Sequence, residues 1–296
     1  MRYELNNQDL TVGIDSFGAE MVSLKCEKTG QEYLWNADEK YWKRSSPVLF
    51  PFVGSLKDKQ YSYERKDYSM TQHGFARDME FDCISENEEE IWFRLEAGPV
   101  SKKMYPFDFA LEIGYRLSGR TVEVMWKVYN EDKKDMFFSI GAHPAFNCPL
   151  KEGEKQSDYS IWMNSRNDGV LFSLPDEKTG LMKNYKNELR LSKGRRLLTE
   201  GFFDQGAYII EDYQVNKISL VDPENRPYIT VEFDAPLVGL WSPEYKQAPF
   251  VCIEPWYGRC DRESYSGTLQ TREWTNKLKP KQSFERSYQI TVEECS

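Results

Sequence analysis

Two histidines make up the whole imidazole content of this 296-residue chain, and both stand beside turn-forming residues. His73 lies in Gln72-His73-Gly74-Phe75-Ala76-Arg77-Asp78, and His143 lies in Gly141-Ala142-His143-Pro144-Ala145-Phe146-Asn147. Imidazole titrates nearest neutral pH, so it is the first place to look for a group that moves a proton. Glycine and proline next to it mark turns and strand ends, where a side chain can face a cleft instead of a core. Glu254 sits inside the apolar and aromatic run Val251-Cys252-Ile253-Glu254-Pro255-Trp256. Burial there disfavours the charged form of a carboxyl, raises its basicity and suits it to general-base work. A second acid, Asp204, falls among aromatics in Gly201-Phe202-Phe203-Asp204-Gln205-Gly206-Ala207-Tyr208. Each has a plainer role open to it: a satisfied structural histidine, a solvent-face strand acid before a proline, a turn cap.

The elements that must position these groups read as strands. Leu10, Val12 and Ile14 alternate with polar or small residues, as do Ile91, Phe93 and Leu95. Phe109, Leu111, Ile113, Tyr115 and Leu117 alternate in the same way, and after Ser-Gly-Arg the pattern resumes at Val122, Val124, Trp126 and Val128, which predicts a hairpin. Asp222 to Asn225 reads as a turn before Ile229, Val231 and Phe233, and Tyr288, Ile290 and Val292 as a final strand. Helical periodicity is nearly absent; the segment from Ala37 to Trp42 is a short helix-like piece. Many short strands without βαβ spacing predict an all-β antiparallel sandwich or barrel. No glycine-rich phosphate loop contradicts this. Neither a fixed-period repeat nor a low-complexity linker appears, so residues 1–296 are expected to form one domain, with Glu152 to Asp158 as the least regular connection.

With 39 basic against 48 acidic residues the net charge is −9, which offers no general attraction to nucleic acid or to an anionic membrane. An anionic substrate would need a local cluster of Lys or Arg. The first ten residues lack an apolar signal region and no run of about 18 apolar residues occurs, so a cytoplasmic protein is expected. Cys26, Cys83, Cys148, Cys252, Cys260 and Cys295 show no C-x-x-C spacing, which argues against a zinc site and a disulfide framework and for free, mostly buried thiols.

Taken in order, the motifs resemble the aldose 1-epimerase family of the galactose mutarotase-like superfamily, and especially its LacX-like branch. The segments that carry the resemblance are Phe17-Gly18-Ala19-Glu20, Tyr33-Leu34-Trp35, Pro47-Val48-Leu49-Phe50-Pro51-Phe52-Val53-Gly54, the two histidine motifs, Phe203-Asp204 and Ile253-Glu254-Pro255-Trp256. The resemblance implies a large antiparallel β-sandwich with few short helices, a sugar cleft across one sheet, and chemistry without a metal or organic cofactor. It makes Glu254 the base that takes the anomeric hydroxyl proton and His143 the acid that protonates the ring oxygen, so that the ring opens, rotates about its C1–C2 bond and closes on the other face. His73 and Asp204 match groups that hydrogen-bond the sugar, and His73 can also assist at the ring oxygen.

One departure bears on substrate choice. Well-studied galactose mutarotases carry a Gly-Arg-x-x-Asn-Arg pattern where this chain has Gly54-Ser55-Leu56-Lys57-Asp58-Lys59. Lysine lacks the planar bidentate grip of a guanidinium, so Lys59 must contact hydroxyls differently. Arg44 and Arg77 can supply a cation to a hydroxyl or to a sugar phosphate, or they can pair with Asp78 or Glu80. Trp241, Trp256 and Tyr257 are candidates for stacking on a pyranose, with core packing as their alternative. A glycoside hydrolase using Glu254 and Asp204, or a sugar-binding module without turnover, are competing readings. The expected partner is a small sugar, free aldohexose first and hexose 6-phosphate second, bound by a monomer or a homodimer.

Overall fold

The structure, a computed structural model, describes residues 1–293. Two large antiparallel sheets dominate it. One has nine strands in the spatial order Arg195–Leu197, Ser160–Met163, Lys217–Val221, Pro227–Phe233, Ser283–Val292, Thr121–Asn130, Phe109–Ser118, Glu90–Glu96 and Asp82–Glu86. The predicted hairpin supplies the third and fourth strands from the Asp82–Glu86 edge, with Phe109 opposite Asn130 and Ser118 opposite Thr121. Val122, Val124, Trp126 and Val128 are buried while their neighbours are half-exposed, as period-two patterning demands of a strand with one covered face. Each of the other strands read from alternation is present as well: Leu10–Asp15, Glu90–Glu96, Pro227–Phe233 and Ser283–Val292.

The second sheet runs Ile140–Gly141, Phe250–Tyr257, Leu237–Trp241, Tyr208–Ile210, Gly169–Ser173 and Asn187–Arg190, with Ala145–Asn147 also pairing Phe250–Tyr257. Phe250–Tyr257 is buried along its whole length. Val251, Ile253 and Tyr257 face the main hydrophobic core, which also takes Leu111, Val124 and Ile290 from the nine-stranded sheet. Phe250, Cys252, Glu254 and Trp256 therefore point to the other side, because side chains alternate along a strand. A third sheet of Arg2–Asn6, Leu10–Asp15 and Glu20–Cys26 adds Leu5, Val12, Ile14 and Leu24 to the same core.

Helix is limited, among the described residues, to one turn at Ser101–Met104 and four 3-10 turns. The segment from Ala37 to Trp42 is not a helix. The Tyr41 and Trp42 N–H groups both donate to the Asp38 carbonyl, at 3.0 and 3.1 Å, and Ala37 has φ of +59°. A left-handed residue at its start keeps the turn from extending toward the N-terminus. Glu152 to Asp158 contains a 3-10 turn whose Gln156 amide donates to the Ala248 and Phe250 carbonyls at 2.9 Å, tying this connection to the buried strand. Cys148, Cys252 and Cys260 are buried and free, Cys26 is buried and Cys83 is half-buried; Cys295 lies outside the described residues. No described helix is long and apolar enough to cross a membrane.

Candidate active site

The outer side of the seven-stranded sheet floors a cavity of about 1020 Å³. Its edge strand is interrupted where the chemistry is needed. Ile140–Gly141 and Ala145–Asn147 both pair with Phe250–Tyr257, with Gly141 opposite Trp256 and Ala145 opposite Cys252. Between them lie Ala142, His143 and Pro144. Pro144 has no N–H to give to a ladder and restricts the residue before it, so the strand breaks there. The neighbours stay tied: the Ala142 N–H donates to the Pro255 carbonyl at 3.0 Å and the Ile253 N–H to the Pro144 carbonyl at 3.3 Å. His143 is thereby held beside Glu254, its Nε2 3.3 Å from Oε2. The approach lacks hydrogen-bond alignment: Glu254 Oε2 and His143 Nδ1 are both buried without a partner.

His73 reaches the same place from a loop. Its own N–H donates to the Gly54 carbonyl at 3.0 Å, and the Gly54 N–H donates to His73 Nδ1 at 3.1 Å. With Nδ1 accepting, the ring proton of neutral His73 belongs on Nε2. The ring meets that of His143 edge-on, with centroids 5.5 Å apart. Trp42 stacks on His143 at 4.7 Å with the planes 29° apart, and Trp241 closes on it edge-on at 5.4 Å.

Burial decides the electrostatics of the trio. Desolvation pushes the Glu254 carboxyl well above its ordinary range, opposed only by the Trp256 side chain. His143 is pushed down to about 3, by desolvation first and then by the Arg77 charge. His73 is held well below the usual imidazole value by desolvation, His143, Arg77 and Arg44. Desolvation disfavours the charged form of each group, hence the opposite directions for acid and bases.

Nine of the sequence-derived candidates line this cavity: Glu254, His143, His73, Asp204, Arg44, Arg77, Lys59, Trp241 and Trp256. Asp204 also acts as a turn acceptor, its Oδ1 taking the Tyr245 N–H at 2.9 Å. Arg44 pairs with Asp78 at 2.5 Å, so its ion-pair role and its place on the wall coexist. Arg77 donates from Nη2 to the Gln72 carbonyl at 2.8 Å, while its Nε is buried without a hydrogen-bond partner. Burial, and then Arg44, lower the Arg77 guanidinium to about 10. Trp256 is fixed as floor: its indole N–H donates to the Ala142 carbonyl at 3.1 Å, and a Cβ on Gly239 would stand 2.7 Å from its ring.

Tyr257 is not at the cavity. One residue after Trp256, it points into the core against Trp126 and Phe284, so its alternative role as a packing residue holds. Lys57 turns away as well, donating to the Tyr265 carbonyl at 3.0 Å. Trp42 and the loop from Asp176 to Lys183 also line the cavity, and the sequence reading missed both as site elements. The aromatic pair Tyr41-Trp42 beside Lys43-Arg44 was the available signal for the first; no pattern marks the second.

The aldose 1-epimerase family model matches residues 1–288. The chain belongs to the aldose 1-epimerase family. The chromosomal LacX protein of Lactococcus lactis subsp. lactis is 33% identical over 301 residues, covering 99% of each chain. Among solved structures, a galactose mutarotase related enzyme from Lactobacillus acidophilus is 33% identical with a TM-score of 0.92, over 100% of this chain and 98% of that one. A galactose mutarotase-like protein from Lactobacillus casei is 29% identical, also with a TM-score of 0.92, over 99% of this chain and 100% of its own. The β-sandwich and the LacX-like resemblance expected from the motifs are thus both met in this family member, and the family's name is that of an isomerase acting on sugars.

Proposed function

We propose that this family member is an active mutarotase that interconverts the α and β anomers of an aldohexose without a cofactor. The observation that carries this reading is the placement of Glu254 Oε2 3.3 Å from His143 Nε2 on the cavity wall. Ring opening needs one group to remove the proton of the C1 hydroxyl and another to protonate the ring oxygen as the C1–O5 bond breaks. Glu254 takes the first proton and His143 gives the second. The aldehyde turns about C1–C2, and the two groups, with proton roles exchanged, close the ring on the opposite face. His73 Nε2–H and Asp204 hold hydroxyls, and Trp256 and Trp241 offer apolar surface.

The opposite shifts of the pair suit this task. A protonated Glu254 beside a neutral His143 holds the same number of protons as a carboxylate beside an imidazolium. Substrate oxygens can redistribute that proton with no uptake from solvent. The partner facing Glu254 at short range is an imidazole, which supports this reading over a hydrolase built on two carboxylates.

A second substrate class is supported by Arg77. Its buried, unpartnered Nε belongs to a guanidinium on the cavity wall, and Lys43, Lys59, Lys178 and Lys183 also line the cavity of a protein whose net charge is −9. A hexose 6-phosphate would give these cations a counter-charge.

The test is the rate at which freshly dissolved α-D-glucose, α-D-galactose and a glucose 6-phosphate anomer equilibrate, followed by polarimetry or anomeric-proton NMR. Wild type should accelerate at least one, and Glu254→Gln and His143→Asn should each lose about 10²- to 10⁴-fold in kcat while still binding sugar. Unchanged turnover in Glu254→Gln would remove Glu254 from the mechanism. Binding without acceleration in wild type would leave a sugar-binding module.

A further inference from the structure

Cys252 takes no part in the proton transfers, yet it lies on the same face of the buried strand as Glu254, two residues earlier. It is opposite Ala145 on one side and Trp241 on the other. One ligand atom each from His143, Cys252 and Glu254 can be chosen so that all lie within 4.8 Å of one another, and all three residues are buried. Their types, imidazole, thiol and carboxylate, form a mixed donor set that suits a borderline-soft cation. One oxygen of the set, Glu254 Oε2, is buried without a hydrogen-bond partner. Buried polar atoms in a folded protein ordinarily have a partner.

We propose that His143, Cys252 and Glu254 together bind a thiophilic divalent cation, with zinc as the reference ion, and that this cation inhibits the enzyme by occupying its acid–base pair. Only the inhibitory consequence rests on the mutarotase reading; the site itself does not.

The geometry is close to what the ion needs. Tetrahedral bonds of about 2.0 Å to nitrogen and oxygen and about 2.3 Å to sulfur put neighbouring ligand atoms about 3.3 to 3.5 Å apart. His143 Nε2 and Glu254 Oε2 already stand at 3.3 Å. The thiol has only to close in from within 4.8 Å. The cavity opens onto His143 and Glu254, which gives the ion its path and leaves its fourth position to a water or a sugar hydroxyl. Trp35, Ala145 and Phe250 pack around Cys252, with Trp42 and Trp241 at the edge of the same cluster. These walls exclude competing water and strengthen attraction between a cation and a thiolate. Binding replaces the Cys252 thiol proton by a metal–sulfur bond, and a proton on Glu254 leaves by the same exchange. Both are released to solvent, so no oxidant or other co-reactant is required.

Cobalt(II) is the probe for the test, because thiolate ligation to it gives a near-ultraviolet charge-transfer band and tetrahedral coordination gives intense visible bands. Titrated into the full-length wild-type protein, cobalt should produce both at one equivalent, and zinc should bleach them. In Cys252→Ala and in the more conservative Cys252→Ser the charge-transfer band should be absent, while mutarotation without metal stays near wild type. The zinc concentration for half-inhibition should rise by about tenfold or more in both variants. A wild-type protein without the charge-transfer band, or a band that persists in both variants, would overturn the proposal. The spectral result is read without any turnover, so its failure is distinct from a failure of Glu254→Gln to lose activity.

Discussion

The backbone N–H of Gly54 donates to Nδ1 of His73 while the His73 N–H donates back to the Gly54 carbonyl, at 3.1 and 3.0 Å. This two-bond clasp selects the tautomer of a cavity imidazole through a residue with no side chain. His73 itself has φ of +68°, a left-handed conformation that a side chain rarely adopts without compensation. Gly54 has φ of +74°, and a Cβ there would lie 2.7 Å from the Cys260 backbone nitrogen. Gly54→Ala should therefore cost about 1–3 kcal/mol of stability through backbone strain, seen as a lower denaturation midpoint. Sugar affinity should fall more than it does in a control variant of equal stability remote from the cavity. An alanine variant that melts and binds like wild type would show that the clasp does not set the ring.

In the proposed reaction Trp42 would act through His143 and not through the proton path. Its ring stacks on the imidazole at 4.7 Å, and Trp241 meets both rings edge-on. Trp42→Ala removes that plane and lets the imidazole turn away from Glu254. We expect kcat to fall by about tenfold, in line with the cost of loosened catalytic geometry, and Trp42→Phe to recover most of the loss. Equal losses in both variants would mean that the indole does something other than position the ring.

What the sequence disclosed and what it withheld divide along physical lines. Strands with one covered face announce themselves, as Val122, Val124, Trp126 and Val128 do, because burial alternates with the chain. Glu254 was legible because an acid in an apolar run is costly without a purpose, and His143 because Pro144 breaks a strand beside it. Trp42 was not, since its neighbour across space, His143, lies 101 positions away and a single turn carries no periodicity. The same limit explains Tyr257: composition makes it resemble Trp256 as a sugar platform, but strand alternation sends adjacent residues to opposite sides. Cys252 shows the limit of spacing rules for metals. No C-x-x-C pattern exists, yet a strand and a facing strand break assemble three donors.

The opposed shifts of Glu254 and His143 predict a particular pH profile. With ordinary values, a carboxylate and an imidazolium would coexist only between about pH 4.3 and 6.5. Here burial raises Glu254 and lowers His143 to about 3, so the form holding one transferable proton is populated from about pH 3 up to the raised Glu254 value. Below that window both groups are protonated and no base remains; above it both are deprotonated and no acid remains. The ratio kcat/KM should thus rise on an acid limb at about pH 3, hold level up to the raised Glu254 value and fall above it, the apparent values belonging to the pair. An acid limb at about pH 4.3, where an unperturbed carboxyl titrates, would contradict this assignment.

Arg77 separates the two substrate classes. Its guanidinium donates once, to the Gln72 carbonyl, and its buried Nε has no hydrogen-bond partner; the Asp78 carboxylate stands 3.9 Å away. A neutral hexose would take one more hydrogen bond from it, worth about 1.5–3 kcal/mol because the donor is charged, whereas a phosphate would take a bidentate fork of two such bonds to an opposite charge. Arg77→Lys keeps the charge and loses the fork. If the physiological sugar carries a phosphate, this variant should raise KM for glucose 6-phosphate by about tenfold or more while shifting KM for glucose by only a few-fold. Equal, small changes for both sugars would leave Arg77 as a wall residue and free aldohexose as the substrate class. Anomerisation rates measured by NMR on the two sugars, in the same buffer and at fixed ionic strength, make the comparison without interference from salt screening.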